Sequence, residues 1–133
     1  MILLDTHVLL WWQAGGVRLT ARVQRAIDAA GSIFVSPVSF WEIGLLAEKG
    51  RIRLDREPFV WAQDLLASDR LFVAALTPIA ALRAGRLPAA GFTGDPADAL
   101  IYATAVDLAI PLATKDQRLR LFAAERRDVR AIW

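Results

Sequence analysis

Cysteine is absent from the 133 residues. Disulfide scaffolds, thiol nucleophiles and cysteine-ligated zinc are thereby excluded, and a reducing, cytoplasmic setting is the expectation. Histidine occurs once, as His7, and no glycine-rich phosphate loop is present. Long apolar runs are missing too. Although 56% of the residues are hydrophobic and the mean hydropathy is +0.37, unbroken stretches such as Val8–Trp12 fall far short of the ~18–20 residues a spanning helix needs. The first residues offer no basic region and no small-residue cleavage site, so no signal peptide is expected. Linkers, repeats and low-complexity segments are also lacking. The length suits one domain, residues 1–133, with a sizeable core. Lysine is scarce: Lys49 and Lys115 stand against fourteen arginines, and Arg118, Arg120, Arg126, Arg127 and Arg130 crowd the last sixteen residues. Such a run is either a solvated basic face or a surface that follows phosphates.

What is present reads as strands alternating with helices. Met1–Leu4 is a buried strand, and Thr20 caps a helix with Val23, Ala26, Ile27 and Ala30 inward, ended by Gly31. Ile33–Val35 is a second strand. Ser36-Pro37 opens a helix through Glu48, stopped at Gly50, and Pro58 opens another to Ala67. Leu71–Leu76 is a third strand, Thr77-Pro78 begins a helix to about Arg86, and Leu87–Thr93 is a loop. Asp95-Pro96 opens a helix to about Leu108, Pro111–Thr114 is a fourth strand, Asp116–Ala124 a helix, and Val129–Ile132 a closing strand. This alternation implies right-handed crossovers and an α/β fold with a five-stranded parallel sheet flanked by helices. Ligands of such sheets bind beyond the carboxyl ends of the strands, where strand order switches.

The opening MILLDTHVLLWW sets one acid, Asp5, among nine large apolar side chains. An unpartnered carboxylate is costly to bury, so Asp5 belongs at the end of the first strand. Other acids fall on the same edge: Glu42 in the helix after strand two, Asp95 and Asp98 at the start of the helix before strand four, and Asp116 just past strand four. Each has a plain structural reading as a helix cap or a complement to a helix dipole. Convergence of several on one edge is better explained by a hard divalent cation, Mg²⁺ or Mn²⁺, which takes oxygen ligands. Without metal or protons, carboxylates crowded into one pocket repel. With metal, the pocket could activate water and offset charge on a phosphate during in-line displacement. His7 reads as a partly buried packing residue beside Trp11. The tryptophans read as core and interface rather than base-stacking platforms, with Trp12, Trp41 and Trp61 expected at the surface of a dimer.

The segments LLDTHVLLWW, SPVSFWEIGLLAEKGRI, GDPADALIYATA and PLATKDQRL occur in the order and setting of PIN-domain ribonucleases, and the chain most resembles VapC-type toxins of bacterial toxin–antitoxin pairs from Met1 to the final AIW. The resemblance implies a Mg²⁺- or Mn²⁺-dependent endoribonuclease acting on RNA, a homodimer silenced by a VapB-like antitoxin. By the same resemblance Asp5, Glu42, Asp98 and Asp116 are the catalytic, metal-binding acids, Thr114 is a supporting hydroxyl, and Asp95 of the DPAD form assists with the metal. The subgroup more often carries a basic or aromatic residue before that aspartate and a bulky aromatic one after the proline, where Gly94 and Ala97 stand here. A phosphatase using Asp5 as nucleophile wants a second acid at position 7, which is His7. A phosphorylatable receiver domain wants an aspartate at the end of strand three, where Leu76-Thr77-Pro78 stands. The remaining alternative is a catalytically inactive PIN-like protein-binding module whose acids are only caps.

Overall fold

The computed structural model describes all residues from Met1 to Trp133. Its strands are β1 (Ile2–Leu4), β2 (Ile33–Val35), β3 (Leu71–Val73), β4 (Leu112–Ala113) and β5 (Ala131–Ile132). Seven α-helices connect them: α1 (Thr6–Gln13), α2 (Ala21–Ala29), α3 (Pro37–Glu48), α4 (Pro58–Leu66), α5 (Pro78–Arg86), α6 (Pro96–Leu108) and α7 (Gln117–Arg126). The strands form one five-stranded sheet in the order β3-β2-β1-β4-β5, and every pairing is parallel. The expected architecture is therefore the observed one.

Parallel strands joined by helices are covered on both faces and read as continuous apolar runs rather than alternating ones. Here Leu3 and Leu112 face a core built with Ala80, Ala84, Ile101 and Phe122. Their strand neighbours Ile2, Leu4 and Ala113 face the opposite core, with Val8, Leu9, Val23, Ile27 and Trp61. The α6 segment Ile101–Ala105 is buried throughout, which is why its sequence shows no amphipathic period. No helix is long and apolar enough to cross a membrane.

Some expectations from the sequence need correction. The helix α1 does not stand out there as a full element, because HVLLWW is apolar on every side and gives no period to read. Strand three ends at Val73 rather than Leu76: it is an edge strand, and its only partner β2 stops at Val35 before turning into α3. The closing strand is likewise shorter, Ala131–Ile132. Of the three indoles expected outside, Trp41 is 60% exposed and Trp12 is half-buried, but Trp61 is only 6% exposed. It lies under Phe40, ring centroids 6.4 Å apart.

Ile101 is fully buried between the sheet and α5. Ile101→Ala should destabilise the protein by about 2–5 kcal/mol through lost burial and a residual cavity, read as a lower urea midpoint with an unchanged slope of free energy on denaturant.

Candidate active site

The sheet reverses its direction of growth at β1. From there the chain moves to β2 and β3 on one side and to β4 and β5 on the other. The carboxyl ends of β1 and β4 therefore flank the crevice in which open α/β sheets bind ligands. Leu4 pairs with Ala113, so the next residues, Asp5 and Thr114, leave the sheet side by side.

Asp5 is 7% exposed. One carboxylate oxygen, Oδ2, accepts from the Thr114 hydroxyl at 2.7 Å, and Oδ1 accepts from the Thr6 backbone N–H at 2.7 Å as the N-cap of α1. Thr114 is itself fully buried and accepts from the Asp116 N–H at 3.1 Å. With its acceptor side occupied in this way, its one proton points at Asp5. Burial raises the Asp5 pKa, and the Asp116 charge adds to that, while the Thr114 and Thr6 bonds oppose it.

Glu42 comes from the second turn of α3, a helix that Ser36 caps and Pro37 begins. The Thr6 hydroxyl donates to Glu42 Oε1 at 2.6 Å and lies 3.0 Å from Ser39 Oγ. Thr6 and Ser39 are both buried. Neither is singled out by the sequence as a support for Glu42. A signal exists all the same, since Thr6 follows Asp5 directly and Ser39 lies three residues before Glu42, on the same helix face. Burial raises the Glu42 pKa, with Asp5 and Asp95 contributing repulsion.

Asp95 and Asp98 form a capping box at the start of α6. Asp95 Oδ1 accepts from the Asp98 N–H at 3.0 Å, and Asp98 Oδ2 accepts from the Asp95 N–H at 3.3 Å. Gly94 is fixed by packing: any Cβ there would stand 2.7 Å from the Phe92 ring and 3.2 Å from the Asp98 Cβ. A side chain there would have to displace the Phe92 ring. Asp98 is pushed up to about 7 by burial first, then by the charges of Asp5, Asp95 and Asp116. Asp116 caps α7, accepting from the Arg118 and Leu119 N–H groups at 2.9 and 3.3 Å, and the exposed Arg118 guanidinium stands 3.4 Å from its other oxygen.

All five acids named from the sequence thus lie along one edge, and their charges act on one another. Capping and convergence also prove compatible, because Asp5, Asp95 and Asp116 cap helices and share the edge as well. No three Asp, Glu or His side chains gather closely enough around one point to hold a metal ion in this arrangement. The donors nonetheless suit Mg²⁺ or Mn²⁺ in kind, being oxygens alone, and Mg²⁺ is commonly held by one or two carboxylates with water completing its shell. The mutual repulsion that lifts Asp98 is the charge excess a divalent cation would relieve. His7 is exposed rather than partly buried, its ring 5.7 Å from that of Trp11.

This fold, with carboxylates at the switch point of a β3-β2-β1-β4-β5 sheet, defines a class, and comparison with known families agrees: the chain belongs to the PIN-domain family, whose profile matches residues 2–125. Over 119 residues, 90% of this chain and 89% of the other, it is 42% identical to Ribonuclease VapC22 of Mycobacterium tuberculosis. The fold resembles that of a toxin–antitoxin complex from Klebsiella pneumoniae, with a TM-score of 0.67 and 18% identity over 100% of this chain and 97% of that one. It also resembles VapBC2 from Rickettsia felis bound to a promoter DNA fragment, with a TM-score of 0.68 and 14% identity over 99% and 98% of the two chains.

A raised acid pKa favours the protonated folded state, so the stabilising contribution is present below the unfolded value and is lost as pH climbs through the folded one. For Asp98 that window runs from 3.8 to about 7. In EDTA, Asp98→Asn should melt above the wild type at pH 8, and the gap should close as pH falls toward 4. Asparagine keeps an acceptor for the Asp95 N–H, so a gap of equal size at both pH values would show that charge is not its cause.

Proposed function

We propose that the chain is a metal-dependent endoribonuclease toxin of the VapC type, hydrolysing RNA phosphodiester bonds and neutralised by a VapB-like antitoxin. The observation that carries this reading is the buried Asp5 carboxylate, held at the switch-point end of β1 by Thr114 and Thr6, with Glu42, Asp98 and Asp116 acting electrostatically on the same edge. The identity to a protein named as a ribonuclease supports the activity, and the likeness to toxin–antitoxin complexes supports the partner.

Asp5, Glu42, Asp98 and Asp116 would hold Mg²⁺ or Mn²⁺, with Asp95 beside them. The ion would supply a lower pKa for water and compensation for the charge growing on phosphate. The protein contributes orientation. Thr114 and the Thr6 N–H each hold one Asp5 oxygen and so fix the carboxylate at the end of β1, while the Thr6 hydroxyl, 3.0 Å from Ser39 Oγ, holds Glu42. A site prearranged in this way needs little reorganisation as charge moves. Water attacks phosphorus, the bond to the 3′-oxygen breaks, and the products carry 5′-phosphate and 3′-hydroxyl ends. An RNA 2′-hydroxyl has no part in that step.

The antitoxin would dock at the metal edge and offer an arginine to the acids. The protein would be a cytoplasmic homodimer, its contact drawn from exposed apolar residues such as Trp41, Ile79 and Leu82. The second reading, an inactive PIN-like protein-binding module, draws on the capping done by Asp5, Asp95 and Asp116. A cap does not require the buried hydroxyl pair Thr6 and Ser39 behind Glu42, which caps nothing.

RNA cleavage should appear with Mg²⁺ or Mn²⁺ and vanish in EDTA, and Asp5→Asn should lower it at least ~100-fold. In EDTA the same variant should melt higher than the wild type, because a buried negative charge is gone, and it should gain less from millimolar Mn²⁺. Cyclic 2′,3′-phosphate ends would sink the mechanism. A variant that cuts RNA like the wild type would leave Asp5 a cap and favour the binding module.

A further inference from the structure

A nuclease edge made of five carboxylates repels the polyanion it must bind, so attraction has to come from cations beside it. Beside the edge, reached through His7 two residues after Asp5, a cavity of about 750 Å³ lies between α1, α4 and the segments that follow α1 and α3, lined among others by Trp11, Arg18, Arg51, Arg53 and Arg56. Two indoles line it, Trp61 and the half-buried Trp11 of α1, and the Trp133 ring lies 5.9 Å from that of Trp11. Two cations lie against the Trp11 indole. The Arg18 guanidinium carbon is 5.9 Å from the ring centroid, and Lys115 Nζ is 5.3 Å from it. They reach it from opposite ends of the chain, Lys115 standing between Thr114 and Asp116 at the site itself.

Both side chains are exposed, and neither makes an ion pair. The acids nearby are otherwise engaged: Arg56 holds Asp55 and Asp64 at 2.8 and 2.7 Å, and Arg118 stands over Asp116. An unpaired lysine or arginine ordinarily samples many rotamers, and contact with an aromatic face restricts it in advance. The result is two uncompensated positive charges presented together where the carboxylates end and the cavity begins.

We propose that Arg18 and Lys115 bind phosphates of the RNA strand on the side of the cleaved bond that follows the cavity, and that Trp11 is a positioning residue holding both cations at the lip of the site. This rests on the ribonuclease reading and adds to it the path of the strand. Trp11 serves the phosphates through its two cations, and base identity plays no part in the contact.

The test is the salt dependence of binding. Asp5→Asn protein in Mg²⁺, which should bind without cutting, is titrated with fluorescein-labelled oligoadenylate across a series of KCl concentrations. Removing a cation that neutralises one phosphate should reduce the slope of log K against log salt by about 0.7 for a single strand. Arg18→Ala and Lys115→Ala should each show that reduction. Trp11→Ala should weaken binding and lower the slope, whereas Trp11→Phe, which keeps an aromatic face, should restore most of both. Arg56→Ala is the internal control: it lines the same cavity, its charge is already met by two aspartates, and its slope should match that of the parent.

Unchanged slopes in Arg18→Ala and Lys115→Ala overturn the proposal even if affinity falls, since a merely structural role would not move them. A normal slope in Trp11→Ala overturns the positioning role. Should RNA fail to bind at all, cleavage by the wild type separates the cases. If the wild type still cuts, only the phosphate lip falls. If it neither binds nor cuts, the nuclease reading falls, and an acidic protein segment becomes the natural occupant of the two cations.

Discussion

The alignment of Leu4 with Ala113 across β1 and β4 decides where the chemistry of this molecule can be. It carries Asp5 and Thr114 out of the sheet at the same height, close enough for a 2.7 Å bond between a buried hydroxyl and a buried carboxylate. A slip of β1 by one residue would turn its side chains to the other face and part Asp5 from Thr114. The two apolar cores hold the register. Leu3 and Leu112 belong to one, Leu4 and Ala113 to the other, so apolar burial on both sides of the sheet secures a polar pair at its end.

Around that pair the structure accepts an electrostatic cost. Asp5, Glu42 and Asp98 all have raised pKa values, with burial the leading cause in each and neighbouring carboxylates adding to it. Part of the cost is offset locally. Four of the five acids, Glu42 being the exception, accept from backbone N–H groups at helix starts, which would otherwise lack partners, and helix N-termini favour negative charge. Helix capping and charge crowding thus coexist in the same side chains, and the remaining repulsion is what a bound cation would relieve.

The order of elements is legible in the sequence because its punctuation is chemical. Ser36-Pro37, Thr77-Pro78 and Asp95-Pro96 each mark a helix start, and each proves to be a side-chain N-cap followed by proline. The edge shared by the acids follows from that order and from the rule for parallel sheets. What cannot be read is anything set by partners distant in sequence. The early end of β3 depends on where β2 turns away, and the burial of Trp61 on its tilted packing against Phe40. The Thr6 and Ser39 hydroxyls gain meaning only once α1 and α3 cross. The helix α1 is hidden for a different reason: a segment apolar on nearly all sides has no hydrophobic period to betray it.

Asp5 and Thr114 are 109 residues apart in a chain of 133. The strand that begins the sequence sits in the middle of the sheet, and one of its two neighbours is nearly the last strand to be synthesised. Contacts between such remote segments are closed late, since the loop between them must be ordered first. A growing chain that has β1, β2 and β3 already holds Asp5 and Glu42, but the hydroxyl that orients Asp5 and the last acid do not yet exist. Vectorial synthesis therefore withholds the assembled centre until β4 and the residues just after it have been made.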